Sequence, residues 1–206
     1  MALLDKRRYE KKEPFRDAII FIIICEGEKR EPDYFEFFNE LTSQLKVISV
    51  ASQKGESAPN HLITNAKEAV DKFNSDNGDY ELWIVLDVDR WKKHIHDIQK
   101  ESSSKKEWNI AISNPCFEVW LYFHFTDKLP DLANYTSCSN WKQLIPKLRK
   151  GGFNSTKHPT LLANAITNSR KNYKEEGYIP DIGSTQLFKL GEKIYKITKK
   201  ILEKYQ

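Results

Sequence analysis

The stretch AIIFIIICE, Ala18 to Glu26, is an apolar run that ends on a carboxylate and is followed by Gly27. A second run, LWIVL (Leu82–Leu86), ends on Asp87-Val88-Asp89. Short apolar runs bounded by polar turns read as strands buried on both faces, as in a parallel sheet covered by helices. A carboxylate at the rim of such a sheet is costly to desolvate, and a divalent cation is the commonest compensation. Because ligands of open α/β sheets gather at the carboxyl ends of the strands, the two runs point to a metal-dependent phosphoryl-transfer site.

Outward from these runs the chain alternates strand and helix patterns. Pro32 marks a helix opening that extends to about Leu45, and KVISV (Lys46–Val50) is a short second strand. Apolar residues at helical spacing run from His61 to Phe73, Tyr80–Leu86 forms the third strand, a helix covers Trp91–Glu101, and Trp108–Ile112 is the fourth strand. Such alternation implies βαβ crossovers and a mainly parallel sheet. Beyond it, Pro115–Phe125, Trp141–Arg149, Thr160–Tyr173 and Thr185–Tyr205 read as helices.

With 206 residues, 39% of them hydrophobic, the chain can bury one ordinary core. Its longest apolar run, Ala18–Cys25, is far below the roughly 20 residues that span a bilayer. The N-terminal MALLDKRRYEKKEPFRD lacks the apolar core of a secretory signal, so a cytoplasmic location is the expectation. Cys25, Cys116 and Cys138 form no CxxC pair and indicate neither a disulfide framework nor a structural zinc site. A net charge of +4 is compatible with a nucleic-acid substrate, although most basic clusters of this kind are solvated helix faces.

In an extended chain the side chains at i and i+2 project together, so Asp87 and Asp89 are expected to form a two-carboxylate cation ligand; turn-capping aspartates give the same pattern. Glu26 has the position of a general acid or base, with a loop glutamate as the alternative, and Gly27 lets the backbone turn sharply. Glu28 and Glu31 are close in sequence, and Lys29 and Arg30 between them could meet phosphate charge. Glu118 is a charge within an apolar helix, hence either part of a site or a structural ion pair. His124, six residues on, falls on another helix face. Ser184 and Thr185 have N-cap composition, with a phosphate site as the alternative. Lys54 and Lys157-His158 have weaker claims on a substrate backbone, and Trp83, Trp120 and Trp141 read as core.

The segments CEGEKREPDYFEFF (Cys25–Phe38), LDVD (Leu86–Asp89), SNPCFEVWLYFHF (Ser113–Phe125) and IPDIGSTQLFKL (Ile179–Leu190) resemble the signature segments of the RloB-like family, of Toprim-type fold. The resemblance implies an α/β fold: a Toprim-like core at residues 18–127 with a mainly parallel sheet flanked by helices. A basic tail (1–17) precedes it, and a helical C-terminal extension (128–206) packs on it to make a single compact unit. It further implies a catalytic glutamate at Glu26 and a DxD pair at Asp87 and Asp89, the three expected to hold Mg²⁺, or Mn²⁺ in its place; Glu118 joins the catalytic candidates from its place in the apolar helix and not from the resemblance. Lys29, Arg30, Lys54 and Arg90 would contact a DNA or RNA substrate. Relatives beside an ATPase in restriction or abortive-infection loci imply a nuclease acting as a defence effector with an ATPase partner; the alternative is a non-catalytic adaptor. The chain departs from related nucleases where Glu31 stands five residues after Glu26, and where Arg90-Trp91, not further acids, follow Asp89.

Overall fold

The computed structural model describes residues 19–51, 59–74, 79–91 and 94–205. The basic tail, Lys54 and Lys92-Lys93 lie outside the described residues. No helix among the described residues is long and apolar enough to cross a membrane.

Strand β1 (Ile19–Cys25) is followed by α1 (Arg30–Asn39), β2 (Leu45–Ala51), α2 (Pro59–Asn74) and β3 (Tyr80–Asp87). Then come α3 (Val88–Trp91), α4 (Ile95–Ser103), β4 (Trp108–Asn114), α5 (Glu118–Phe123), α6 (Cys138–Leu148) and α7 (Leu162–Asn172). The chain closes with the two-residue strands β5 (Glu175–Glu176), β6 (Ile179–Pro180) and β7 (Ser184–Thr185), then α8 (Leu187–Leu202). The main sheet has the order β2-β1-β3-β4-β7, parallel throughout except for β7, which runs antiparallel to β4. This is the expected α/β architecture, a mainly parallel sheet flanked by helices.

Strand alternation assigns the two faces. Phe21, Ile23 and Cys25 of β1, with Trp83 and Val85 of β3, pack in one core with Tyr34, Phe35 and Phe38 of α1. Ile22 and Ile24, with Leu82, Ile84 and Leu86, pack in a second core with Leu62 and Ala66 of α2 and Ile98 of α4. Helices α1 and α2 therefore cover opposite faces, as a doubly wound sheet requires when the chain leaves β1 for β2 and returns across it to β3. The carboxyl ends of β1 and β3 flank the point where strand order reverses, the place where such sheets bind ligands.

Several boundaries differ from the sequence expectation. Helix α1 starts at Arg30, two residues before Pro32, because the first-turn N–H groups of a helix have no intrahelical partner and proline is tolerated there. It stops at Asn39, whose side chain accepts a hydrogen bond from the Val47 backbone at 3.1 Å and ties the helix end to β2. The helix expected over 115–125 is regular only from Glu118 to Phe123. The largest departure is at 184–185, which forms the edge strand β7 and not a helix start. Gly183 supplies its entry: its φ is +81°, and a Cβ at this position would lie only 2.8 Å from Leu132 Cδ2. Thr185 Oγ1 bonds Ser113 Oγ at 2.7 Å, and Ser184 Oγ accepts from the Lys174 backbone N–H at 3.1 Å and donates to the Asn172 carbonyl at 3.3 Å. Both hydroxyls are thus committed to holding the strand. Gln186 extends the join: its backbone N–H donates to the Ile112 carbonyl at 2.8 Å, and its side-chain oxygen accepts from the Ile112 N–H at 3.3 Å.

His124 is a core residue. A carbonyl only accepts, so Nδ1 donates to the Trp120 carbonyl at 3.0 Å and Nε2 accepts from the Tyr34 hydroxyl at 3.2 Å. Rings of Tyr34, Trp120 and Phe153 enclose it edge-on. Burial is the main reason its pKa falls from 6.5 to about 3. The depressed value means that the unfolded chain takes up the proton first, so stability is lost as pH falls below about 6.5. Unfolding by denaturant should show a loss of about 2–3 kcal/mol between pH 6.5 and 4.5 from this residue. His124→Phe should lack that component while starting about 1–3 kcal/mol less stable, because the Tyr34 hydroxyl loses its buried partner.

Candidate active site

Glu26 is the first residue beyond β1 and is buried. Its Oε2 accepts a hydrogen bond from the backbone N–H of Asp87 at 3.1 Å, so the carboxylate of one strand end is fastened to the main chain of the other. Asp87 is the last residue of β3 and shares strand parity with Trp83 and Val85, on the α1 side of the sheet. It keeps a sliver of accessible surface. Even so, desolvation raises the pKa of its carboxyl well above the usual range, followed by the negative charges of Glu26, Glu31, Glu118 and Asp89 in that order.

Glu31 comes from the first turn of α1 and reaches back over Gly27. A Cβ on residue 27 would lie 1.7 Å from Glu31 Oε2, so with glycine here the Glu31 carboxylate rests directly over the backbone, and a larger residue would push that flexible side-chain end aside. Glu31 is buried, and its charge adds to burial in raising the Cys25 thiol pKa. Glu118 enters from the start of α5 with 5% of its side chain exposed. Arg30 Nη1 and Lys142 Nζ approach its Oε1 at 3.4 and 3.9 Å, and Cys138 Sγ donates to Oε2 at 3.3 Å. The structure thus brings Glu26, Glu31, Asp87 and Glu118 together from four elements.

Asp89 is arranged differently from the sequence expectation. The strand ends at Asp87, Val88 begins α3, and the extended alternation that would align the two aspartates is broken there. Asp89 is exposed, its backbone N–H donating to the Pro115 carbonyl at 3.2 Å, yet it remains close enough to act on the charge of Asp87. Lys29 is exposed at the N-cap of α1, whereas Arg30 is engaged with Glu118. Arg90 lies in α3, but its side chain, like Lys54, falls outside the described residues.

Cys116, at the entry to α5, is held toward its protonated form, which disfavours a nucleophilic role. A hydrogen bond with Cys138, then burial, then the charges of Glu118 and Asp87 raise its thiol pKa above the ordinary range. His158 Nδ1 accepts from the Asn154 backbone at 2.8 Å while its ring packs on Phe125 and Phe153, a turn-forming role. Trp83, Trp120 and Trp141 are buried core residues. Sequence reasoning missed the approach of Cys116 to Cys138, 22 residues apart; only the packing of α5 against α6 reveals it. Two surface depressions, of about 390 and 270 Å³, lie between α2 and α4 and beside the β5–β6 hairpin, and the acids around Asp87 line neither.

A family described as RloB-like protein matches residues 21–194. No curated protein matches the chain, and no solved structure does. The matched span takes in β1 with its terminal Glu26, the acids of β3, α1 and α5, and the edge strand β7, and on that extent the chain belongs to the RloB-like family.

Proposed function

We propose that the chain is a metal-dependent nuclease that hydrolyses phosphodiester bonds of DNA or RNA. The observation that carries this reading is the convergence of Glu26, Glu31 and Glu118 on Asp87 at the switch point of the sheet. Burial and the charges of the neighbouring acids press on the Asp87 carboxylate, and a site that works on charge is the usual reason to keep such crowding. The donor set is all oxygen and fits a hard cation such as Mg²⁺ or Mn²⁺, with Glu26, Asp87 and Asp89 as the residues that would hold it. When bound, such an ion supplies Lewis-acid polarisation of a phosphoryl oxygen. Glu26, oriented by the Asp87 N–H, is positioned to take or deliver a proton at the reacting oxygen. Exposed Lys29 beside the site contributes backbone contact with the nucleic acid. Family resemblance extends the proposal to a defence effector working with an ATPase partner.

A second reading, a non-catalytic adaptor for nucleic acid or the ATPase, is favoured by the exposure of Asp89. It also draws on the spacing of the acids: among the described residues the one trio of ligand atoms mutually within 4.8 Å is Cys116, Glu118 and Cys138. The nuclease reading accommodates this when one or two of Glu26, Asp87 and Asp89 bind the ion directly and water and substrate phosphate complete its shell.

Incubation of the purified protein, with and without its ATPase partner, with plasmid, single-stranded DNA and total RNA in Mg²⁺ or Mn²⁺ should give cleavage. Glu26→Gln and Asp87→Asn should each lower the rate by about 10²-fold or more while the circular dichroism spectrum stays unchanged; full activity in either variant sinks the assignment. Thermal unfolding provides a separate check. A raised Asp87 pKa means that stability is present at low pH and lost as pH rises through the carboxylate range. At neutral pH without metal, Asp87→Asn should therefore melt above wild type, and Mg²⁺ should raise the melting temperature of wild type but not of the variant.

A further inference from the structure

The amino ends of α5 and α6 bring together three side chains that the acid site does not require as a set. Cys116 and Glu118 lie two residues apart at the entry to α5, and Cys138 is the first residue of α6. One ligand atom from each lies within 4.8 Å of the other two. Cys116 and Glu118 are buried and Cys138 is partly exposed, so the group is dry on one side and reachable on the other. Tetrahedral zinc, with Zn–S of about 2.3 Å and Zn–O of about 2.0 Å, holds its donors about 3.5–3.8 Å apart. Cys138 Sγ already stands 3.3 Å from Glu118 Oε2.

We propose that Cys116, Cys138 and Glu118 form a Zn²⁺ site, chemically distinct from the all-oxygen acids around Asp87. Two thiolates and one carboxylate are a soft donor set that selects zinc over magnesium, and three protein ligands leave a fourth position for water or an anion. Binding replaces the two thiol protons, which pass to solvent, by two metal–sulfur bonds, with no change of oxidation state. Three ligand charges are offset by the ion together with Arg30 and Lys142, which approach Glu118 Oε1 at 3.4 and 3.9 Å. The site shares Glu118 with the acids around Asp87, while its two thiolates belong to it alone.

Titration of the reduced full-length protein with Co²⁺ as a spectroscopic stand-in should give thiolate-to-metal charge-transfer absorption that saturates at one ion per chain and is displaced by Zn²⁺. Zn²⁺ should release about two protons per ion at a pH where both thiols start protonated. Cys138→Ser, at a partly exposed position, should fold normally and lose the absorption, and Cys116→Ala should lose it as well. Asp87→Asn should retain it, since that residue belongs to the other site. Absence of the charge-transfer band in reduced wild-type protein, or its persistence in Cys138→Ser, overturns the proposal.

Discussion

The parallel pairing of β1 with β3 is the constraint on which the rest of the molecule depends. Its register sets Cys25 opposite Val85 and leaves Glu26 and Asp87 just past the last paired residues. Both strands are apolar on both faces, so each face must be covered, and α1 and α2 do this from opposite sides. A crossover of opposite sense on either side of β1 follows, and with it the crevice at the strand ends. The hydrogen bond from the Asp87 N–H to Glu26 closes that crevice across the two strands.

The electrostatics of the site are a consequence of this geometry. Carboxylates delivered by strand ends and helix starts point into the same low-dielectric rim, where like charges interact far more strongly than in water. Part of the strain is relieved locally: Arg30 and Lys142 approach Glu118, and the N-terminal turn of α1 carries Glu31 at the favourable end of the helix dipole. At Asp87, burial and the four neighbouring acids all push the carboxyl pKa upward, which makes it the group on which a cation would act most. His124, by contrast, is a buried polar group satisfied on both ring nitrogens, and it locks α5 against α1.

Much of this is legible in the chain because the signals are local. An apolar run ending on a charge reveals both the strand and the direction in which its carboxylate lies, which is why Glu26 and Asp87 can be named from sequence. Glu118 stands out as a charge among aromatic residues. For Asp89 the strand alternation misleads, because the helix α3 begins one residue earlier than that alternation needs. Strand β7 is invisible: two residues carry no periodicity, and Ser184 and Thr185 have the same composition whether they cap a helix or pair with β4.

Sequence alone determined the strand and helix alternation, the parallel α/β class and the two strand-terminal acids, since each follows from the hydrophobicity of a short window. Tertiary structure decided what meets what. Glu31 comes over Gly27 because residue 27 has no side chain, and Cys116 meets Cys138 because α6 packs on α5. The closing edge of the sheet is supplied by a segment about 70 residues beyond β4 in the chain, held by Ser113–Thr185 and Gln186–Ile112 bonds. Contacts of that kind depend on side-chain size and chain return in three dimensions, and no local pattern encodes them.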